Sequence, residues 1–428
     1  MSERIHRAVP LFVLLVAFTH FSSFAQINIP SPYSRFGIGE LNETSNIWNQ
    51  SLGECGFAFR SPYHINFNNP ASYTAIDSLT FLFEGGITAM SVKLSTNTQQ
   101  VTRDYASIGH LLFGFPVTKW WRTTLGLVPY SDVGYNISTT MKMDEPGTVV
   151  RSYSGEGGIN RFFWGNGIRI NKNFNIGVNA SYLFGSMDRQ STSIFPDSLY
   201  SANFKANNYI TISDLYFSFG AQYQIMLKND MKLTFGLVYS PCTMIHAKTD
   251  MVAQTFYLSS AGVENNLDTI EHLDGYKGKI SIPTYIGGGI ALEKTDKWLV
   301  GADYHWQNWK NFTSFGTSDS LVNSYEVNIG AEILPDINDY SHYLKRVRYR
   351  LGFLFQNTYL QLREKQLNEY AFTFGCGLPM KGNKTGLNLS FQLGSRGTTE
   401  ANLIRETFFK FGISVSVNER WFVKRKYY

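Results

Sequence analysis

The sequence predicts an all-β fold: a transmembrane antiparallel β-barrel of about 14 strands with an N-terminal plug in its lumen. Three observations carry this. Near the C-terminus the chain alternates with period two, Phe409, Phe411, Ile413, Val415 and Val417 on one face and Lys410, Gly412, Ser414 and Ser416 on the other. The same alternation recurs along almost the whole chain. Beyond the first 25 residues no segment approaches the roughly 18 uninterrupted apolar residues of a membrane helix, although hydrophobic residues make up 43% and aromatics 15% of the 428 residues. An export signal stands in front. Apolar rows on an exported chain without a membrane helix belong against lipid, and the polar rows then face a lumen.

Residues 1–25 read as a signal peptide. Arg4 and Arg7 open it, an apolar run over 8–18 follows, and Ser23-Phe24-Ala25 supplies a small-x-small cleavage site, so the mature chain is expected to begin at Gln26. Residues 26–77 fit no strand ladder. They contain Pro30-Ser31-Pro32-Tyr33-Ser34-Arg35-Phe36-Gly37, then Gly53-Glu54-Cys55-Gly56-Phe57-Ala58-Phe59-Arg60, and close on Asn68-Asn69-Pro70-Ala71-Ser72-Tyr73. Ile47, Trp48, Phe57, Phe59 and Phe67 favour burial, which points to a lumenal plug or hatch rather than a periplasmic tail.

Residues 78–418 form the expected barrel. Strand candidates cover 79–95, 105–117, 122–139, 149–170, 174–189, 208–227, 231–251, 278–292, 297–312, 321–333, 345–362, 368–379, 386–394 and 403–417. Links after even-numbered candidates are mostly short and polar, such as Asn171-Lys172-Asn173 and Lys228-Asn229-Asp230; those after odd-numbered ones tend to be longer, as over 252–277. Short periplasmic turns and long external loops produce that rhythm. The link over 334–344 is the exception. Residues 419–428 form a basic, aromatic tail suited to interfacial anchoring.

The best-patterned strands name their faces. Ile176, Val178, Ala180, Tyr182 and Phe184 point to lipid; so do Val300, Ala302, Tyr304 and Trp306, and Leu387, Leu389, Phe391 and Leu393. A slip of one residue would drive the intervening amides and acids into hydrocarbon, so register is well specified. On the tenth and eleventh candidates Glu326, Glu332, Arg348 and Arg350 face inward, which predicts lumenal ion pairs near the periplasmic end, with Glu332 close to Arg348 or Arg350.

Catalytic chemistry finds no support. No phosphate-binding glycine loop, His-Glu-x-x-His or Gly-x-Ser-x-Gly occurs. The histidines are scattered, and His305 with Asp303 on one lumenal face reads as a hydrogen-bonded pair rather than a metal fragment. No metal and no cofactor is expected. Net charge is +5 with interspersed signs, unlike a nucleic-acid footprint. Cys55, Cys242 and Cys376 are too few and too widely spaced for a disulfide framework.

An Asn-Pro-Ala segment (Asn69, Pro70, Ala71) closing an N-terminal plug ahead of this strand count resembles the FadL family of outer-membrane transporters for long-chain fatty acids and other hydrophobic compounds. Leu125-Gly126-Leu127-Val128-Pro129-Tyr130-Ser131 is similar to that family's early Gly/Pro-bearing strand. The resemblance implies passive passage of a hydrophobic small molecule through the lumen and out sideways through a kinked strand, with Asn69, Pro70 and Ala71 at the plug and Pro129 at the kink. Phe57, Phe59, Tyr130 and Tyr216 are candidate linings. The alternative is a non-transporting barrel that serves as a subunit of a larger outer-membrane assembly or secretion machine. Expected partners are outer-membrane lipid, a hydrophobic ligand and other outer-membrane or periplasmic proteins; no nucleic acid is expected. The expected location is the outer membrane of a Gram-negative bacterium.

Overall fold

The computed structural model describes residues 30–42, 45–144, 147–197, 202–259, 262–380 and 385–420. The signal segment and tail residues 421–428 lie outside them, while Glu419 and Arg420 complete the last strand. The wall consists of β2 (Thr80–Ser95), β3 (Gln100–Pro116), β4 (Trp121–Lys142), β5 (Thr148–Arg169), β6 (Phe174–Ile194), β7 (Asn203–Met226), β8 (Met231–Ser240), β9 (Thr243–Leu258), β10 (Glu264–Ile282), β11 (Tyr285–Lys294), β12 (Trp298–Gln307), β13 (Ser324–Ile333), β14 (Arg348–Leu362), β15 (Lys365–Pro379), β16 (Gly386–Arg396) and β17 (Arg405–Arg420). All pairings are antiparallel, and β17 closes on β2. The element β1 (Glu40–Leu41) belongs to the segment inside.

Fourteen wall strands result, because β8 and β9 are one strand broken at Pro241-Cys242 and β10 and β11 one strand broken at Pro283-Thr284. Proline cannot donate to a ladder, and the two breaks lie opposite each other, between the pairs Ile282↔Thr243 and Tyr285↔Ser240, the first of them where β7 passes from β8 to β9. The lipid face is a continuous apolar belt: Leu237, Val300, Tyr304, Ile329, Leu351, Phe372, Leu393 and Phe409 are all exposed. The alternate positions Asn175, Asn179, Gln222, Asp303, Asn328, Thr373, Asn388 and Ser414 are buried inward. The faces and register therefore follow from the period-two pattern.

One expectation needs correction. The stretch 252–277 is no loop. It is the upper part of β9 and most of β10, paired from Glu264↔Leu258 down to Ile282↔Thr243. Residues 264–277 of β10 are exposed on both faces, so no apolar row marks them, and three register shifts break the alternation further, while β9 stays paired with β7 and buries Ala253 and Phe256.

Residues 31–42 and 45–76 fill the lumen. They carry β1, a single helical turn α1 (Ile47–Gln50) and a 3₁₀ turn (Pro70–Ala75). Inward-facing glycines of the wall make room for them. A Cβ at Gly220 would lie 2.0 Å from Asn69 Oδ1, at Gly236 2.0 Å from the Phe57 carbonyl, at Gly330 2.2 Å from the Leu52 carbonyl and at Gly352 2.1 Å from the Gly53 amide. At these four positions the strand lacks a side chain where the inner segment presses on it.

Candidate functional site

The site is built from the inner segment, the wall that grips it, and a gap in that wall. Asn69 caps the 3₁₀ turn: its Oδ1 accepts from the Ala71 amide at 3.0 Å, and its Nδ2 donates to the Phe57 carbonyl at 2.7 Å and the Ala221 carbonyl of β7 at 3.2 Å. Pro70 lies against Gly177 of β6, and Ala71 is fully buried. Tyr73 donates to Asn179 at 2.8 Å and Thr74 to Asn175 at 2.9 Å. Asn69, Pro70 and Ala71 thus sit where the inner segment meets β6 and β7.

Buried wall acids, Glu332 and Asp303 among them, hold more of the inner segment. Glu332 accepts from Arg350 at 2.7 Å, from Arg348 at 2.9 Å and from the indole of Trp48 at 3.2 Å, so a wall ion cluster also fastens α1. Glu326 lies apart from that cluster, 3.6 Å from His305 and accepting from Asn328 at 2.8 Å. Asp303 accepts the amides of Gly56 at 2.6 Å and Phe57 at 2.8 Å. The expected Asp303–His305 pair is therefore divided: the aspartate serves the inner segment's backbone and His305 faces Glu326. Among the described residues no group of three or more His, Cys, Asp or Glu side chains could hold a metal.

Sequence reasoning missed a further cluster. Arg396 of β16 reaches Glu406 at 2.5 Å, Glu40 of β1 at 2.7 Å and Glu369 at 3.7 Å, while Ser31 donates to Glu406 at 2.8 Å. Register alone places Arg396 opposite both Glu369 and Glu406, so a paired-strand reading of β15, β16 and β17 would have found the wall half. Glu40 arrives from 356 residues away and left no local signal.

The wall opens between β3 and β4. Their ladder runs only from Pro116↔Arg122 to Leu111↔Leu127. Pro129 and Ser131 of β4 flank a bulge against β5, with Tyr130 as the extra residue. Above Leu127 the free edge of β4 takes partners from inside instead: Glu40↔Asp132 and Leu41↔Ser131 pair, Asn42 donates its amide to the Tyr130 carbonyl at 3.0 Å, and Ser31 donates to the Gly134 carbonyl at 2.9 Å. Pro129 thus stands at an irregularity beside an unzipped seam.

Two cavities adjoin the seam. The larger, about 200 Å³, is lined in part by Tyr130, Arg161, Tyr216, Tyr285, His305 and Glu326. The smaller, about 40 Å³, touches Met90, Tyr105, Phe408 and Lys410 on the wall side of Leu41. Phe57 lines the larger one, whereas Phe59 is buried against Trp48 and Gly301. Above, Trp309 stacks on Tyr359 at 4.4 Å, and Gly37 donates to Asp319 at 2.7 Å, so the loop over 308–323 roofs the lumen.

A family model described as BamG matches residues 5–428. The chain belongs to the BamG family. Among solved structures this BamG-family chain is similar to the toluene transporter TbuX of Ralstonia pickettii (12% identity, 89% of this chain and 99% of that one, TM-score 0.57). It is also similar to the toluene transporter TodX of Pseudomonas putida (14%, 90% and 100%, 0.57) and to a FadL homologue of Pseudomonas aeruginosa (12%, 90% and 100%, 0.55). A search of curated proteins finds no match. The family is thus BamG, and the FadL resemblance holds at the level of the fold, a closed 14-stranded antiparallel barrel.

Proposed function

We propose that this chain is a permanently plugged barrel that serves as a fixed subunit of a larger envelope assembly in the outer membrane of a Gram-negative bacterium. The observation that carries the reading is the grip on the inner segment. Glycines cut into the wall for its backbone, buried carboxylates on its amides and ion clusters shared with β1 and α1 make a seated state that is costly to leave. The larger cavity is about 200 Å³, below the roughly 300–1,000 Å³ of sites that enclose a drug-sized ligand. Its lining sets Glu40, Glu326, Glu369, Arg161 and Arg396 among aromatic and aliphatic side chains, and a hydrocarbon would have to be accommodated beside those charged groups.

One observation favours the second reading, passive transport of a hydrophobic small molecule. The seam between β3 and β4 adjoins the smaller cavity, where Leu41, Met90 and Phe408 bring apolar surface beside the charged Glu40, Glu369, Arg396 and Lys410, and two of the similar structures are named as toluene transporters. On that reading Pro129 sets the seam, and local release of β1 links the two cavities.

Purification from native membranes in mild detergent, with mass spectrometry of proteins and small molecules together, separates the two. A stoichiometric set of envelope proteins without a bound hydrophobe is the expected result. A lone barrel carrying a hydrophobic ligand would overturn the assembly reading in favour of transport.

A further inference from the structure

We propose that the extracellular ribbon of β9 and β10 docks a partner protein whose contact face is apolar at its centre and basic at its rim. The inference rests on the assembly reading and names the surface and the chemistry of one contact.

The ribbon exposes apolar side chains where no lipid can cover them. The outward apolar row of β7 ends at Leu215, near the level of Met244 at the foot of β9, since Ile212 pairs with Ala247. Ile270 and Leu267 pair near residues 253–256 of β9. At ~3.3 Å per residue and a tilt of ~40° they stand roughly 25–30 Å above that belt, beyond any headgroup layer. Yet Val263, Leu267 and Ile270 are 59%, 55% and 61% exposed. Leu267 and Ile270 are the extra residues at two register shifts of β10, and a bulge re-aims a side chain out of the ladder. An isolated exposed leucine needs no explanation, but an apolar group carried this far above the belt, on the edge strand β10 of a sheet that continues through β9 into β7, marks an interaction surface.

Charge identifies the occupant. Between residues 252 and 276 there is no Lys or Arg, while Glu264, Asp268, Glu271 and Asp274 surround the apolar group. His272 lies on the same stretch, and Lys205 of β7 pairs with Glu264 at 3.2 Å. The foot of the ribbon is the reverse: Lys248 lies opposite Lys277, and His246 opposite Lys279. Those basic groups suit anionic headgroups at the membrane surface, which the acidic tip would repel. A second copy presenting the same tip would be repelled too. Among the described residues the outer edge of β10 makes no ladder beyond the bridge Ile280↔Ser314, so the tip is open to a neighbour.

The test places a photo-crosslinking amino acid at Ile270, and separately at Leu267, in the full chain in native outer membranes. The expected product is a single adduct with another cell-surface or outer-membrane protein, through a peptide whose apolar residues are flanked by Lys or Arg. Its yield should fall at least tenfold when Asp268→Lys and Glu271→Lys are added. Heat-modifiable migration of the folded barrel controls for folding. Adducts only with lipid or with a second copy, no adduct, or a yield indifferent to charge reversal would overturn the proposal. If envelope proteins still co-purify in that case, the ribbon proposal alone fails; if they do not, the assembly reading fails with it.

Discussion

Arg396→Met should free the upper part of the inner segment. In the folded chain one guanidinium holds three carboxylates, two from the wall (Glu369, Glu406) and one from inside (Glu40), all largely buried. Without it, Glu40 faces two like charges instead of a counter-ion. Removing one partner of a buried ion pair costs about 3–5 kcal/mol. The lower end applies here, because the cluster borders a cavity. Leaving the seat relieves the repulsion on Glu40, so the loss falls on the seated state. About 3 kcal/mol raises the population of the released segment roughly 150-fold. Ile38 is fully buried next to this contact, and an Ile38→Cys thiol in a background with the native cysteines replaced would report release by its maleimide labelling rate. Retaining Cys55, which is buried deeper in the plug, in a parallel sample distinguishes local release from ejection of the whole segment. Adding Glu40→Gln to Arg396→Met should recover part of the protection, as a double-mutant cycle requires of coupled groups. Labelling of Arg396→Met at the parent rate, with the barrel still folded, would refute the reasoning.

Two further outcomes follow from the wall and the loop between β13 and β14. Gly330→Val places a side chain 2.2 Å from the Leu52 carbonyl and should cost about 1–3 kcal/mol with faster labelling of Cys55, whereas Gly288→Ala on the lipid face, nearest neighbour 3.8 Å, should be neutral; equal thermal midpoints for the two would contradict the packing argument. In the loop over 334–347, Lys345 and then the His342 amide hold the Asp339 carboxyl below the usual carboxylate range. A depressed carboxylate stabilises the loop above its unfolded pKa, and the effect is lost as pH falls through the lower folded value. Exchange protection of the Ser341 and His342 amides should therefore hold at neutral pH and vanish in strong acid, and Asp339→Asn should reproduce the loss at neutral pH.

The barrel was legible because membrane solvation writes its pattern into each strand separately. Phe409 to Val417, Ile176 to Phe184 and Val300 to Trp306 each declare a lipid face without knowledge of their neighbours. Where water bathes both faces, as along β10, no such pattern exists and strand reads as loop. The site was legible in proportion to its locality. Glu332, Arg348 and Arg350 share a hairpin, so alternation alone brought them together. Glu326 sits on the same inward row but six residues further along, beyond reach of the arginines. The contacts of Asp303 with Gly56 and of Arg396 with Glu40 join residues hundreds of positions apart. The wall glycines show only as gaps in the inward row until the backbone that fills them is known.

The seam couples the inner segment to the wall more deeply than the ion clusters do. Between Tyr130 and Gly134 the edge of β4 has no partner in β3; its carbonyls at Tyr130 and Gly134 accept from Asn42 and Ser31, and the Ser131 hydroxyl donates to the Ile38 carbonyl at 2.8 Å. This stretch lies only a few residues above the last β3–β4 pair, Leu111↔Leu127, whose leucines are both exposed on the lipid face. An unpaired backbone group at membrane depth costs several kcal/mol. Ejecting the whole segment would therefore strip the wall of its own hydrogen bonds as well as empty the lumen. Any passage through this barrel has to proceed by a local displacement of β1 that opens the seam sideways while residues 45–76 stay seated. A barrel whose wall is completed from within is also one that cannot finish closing until its first residues are in place.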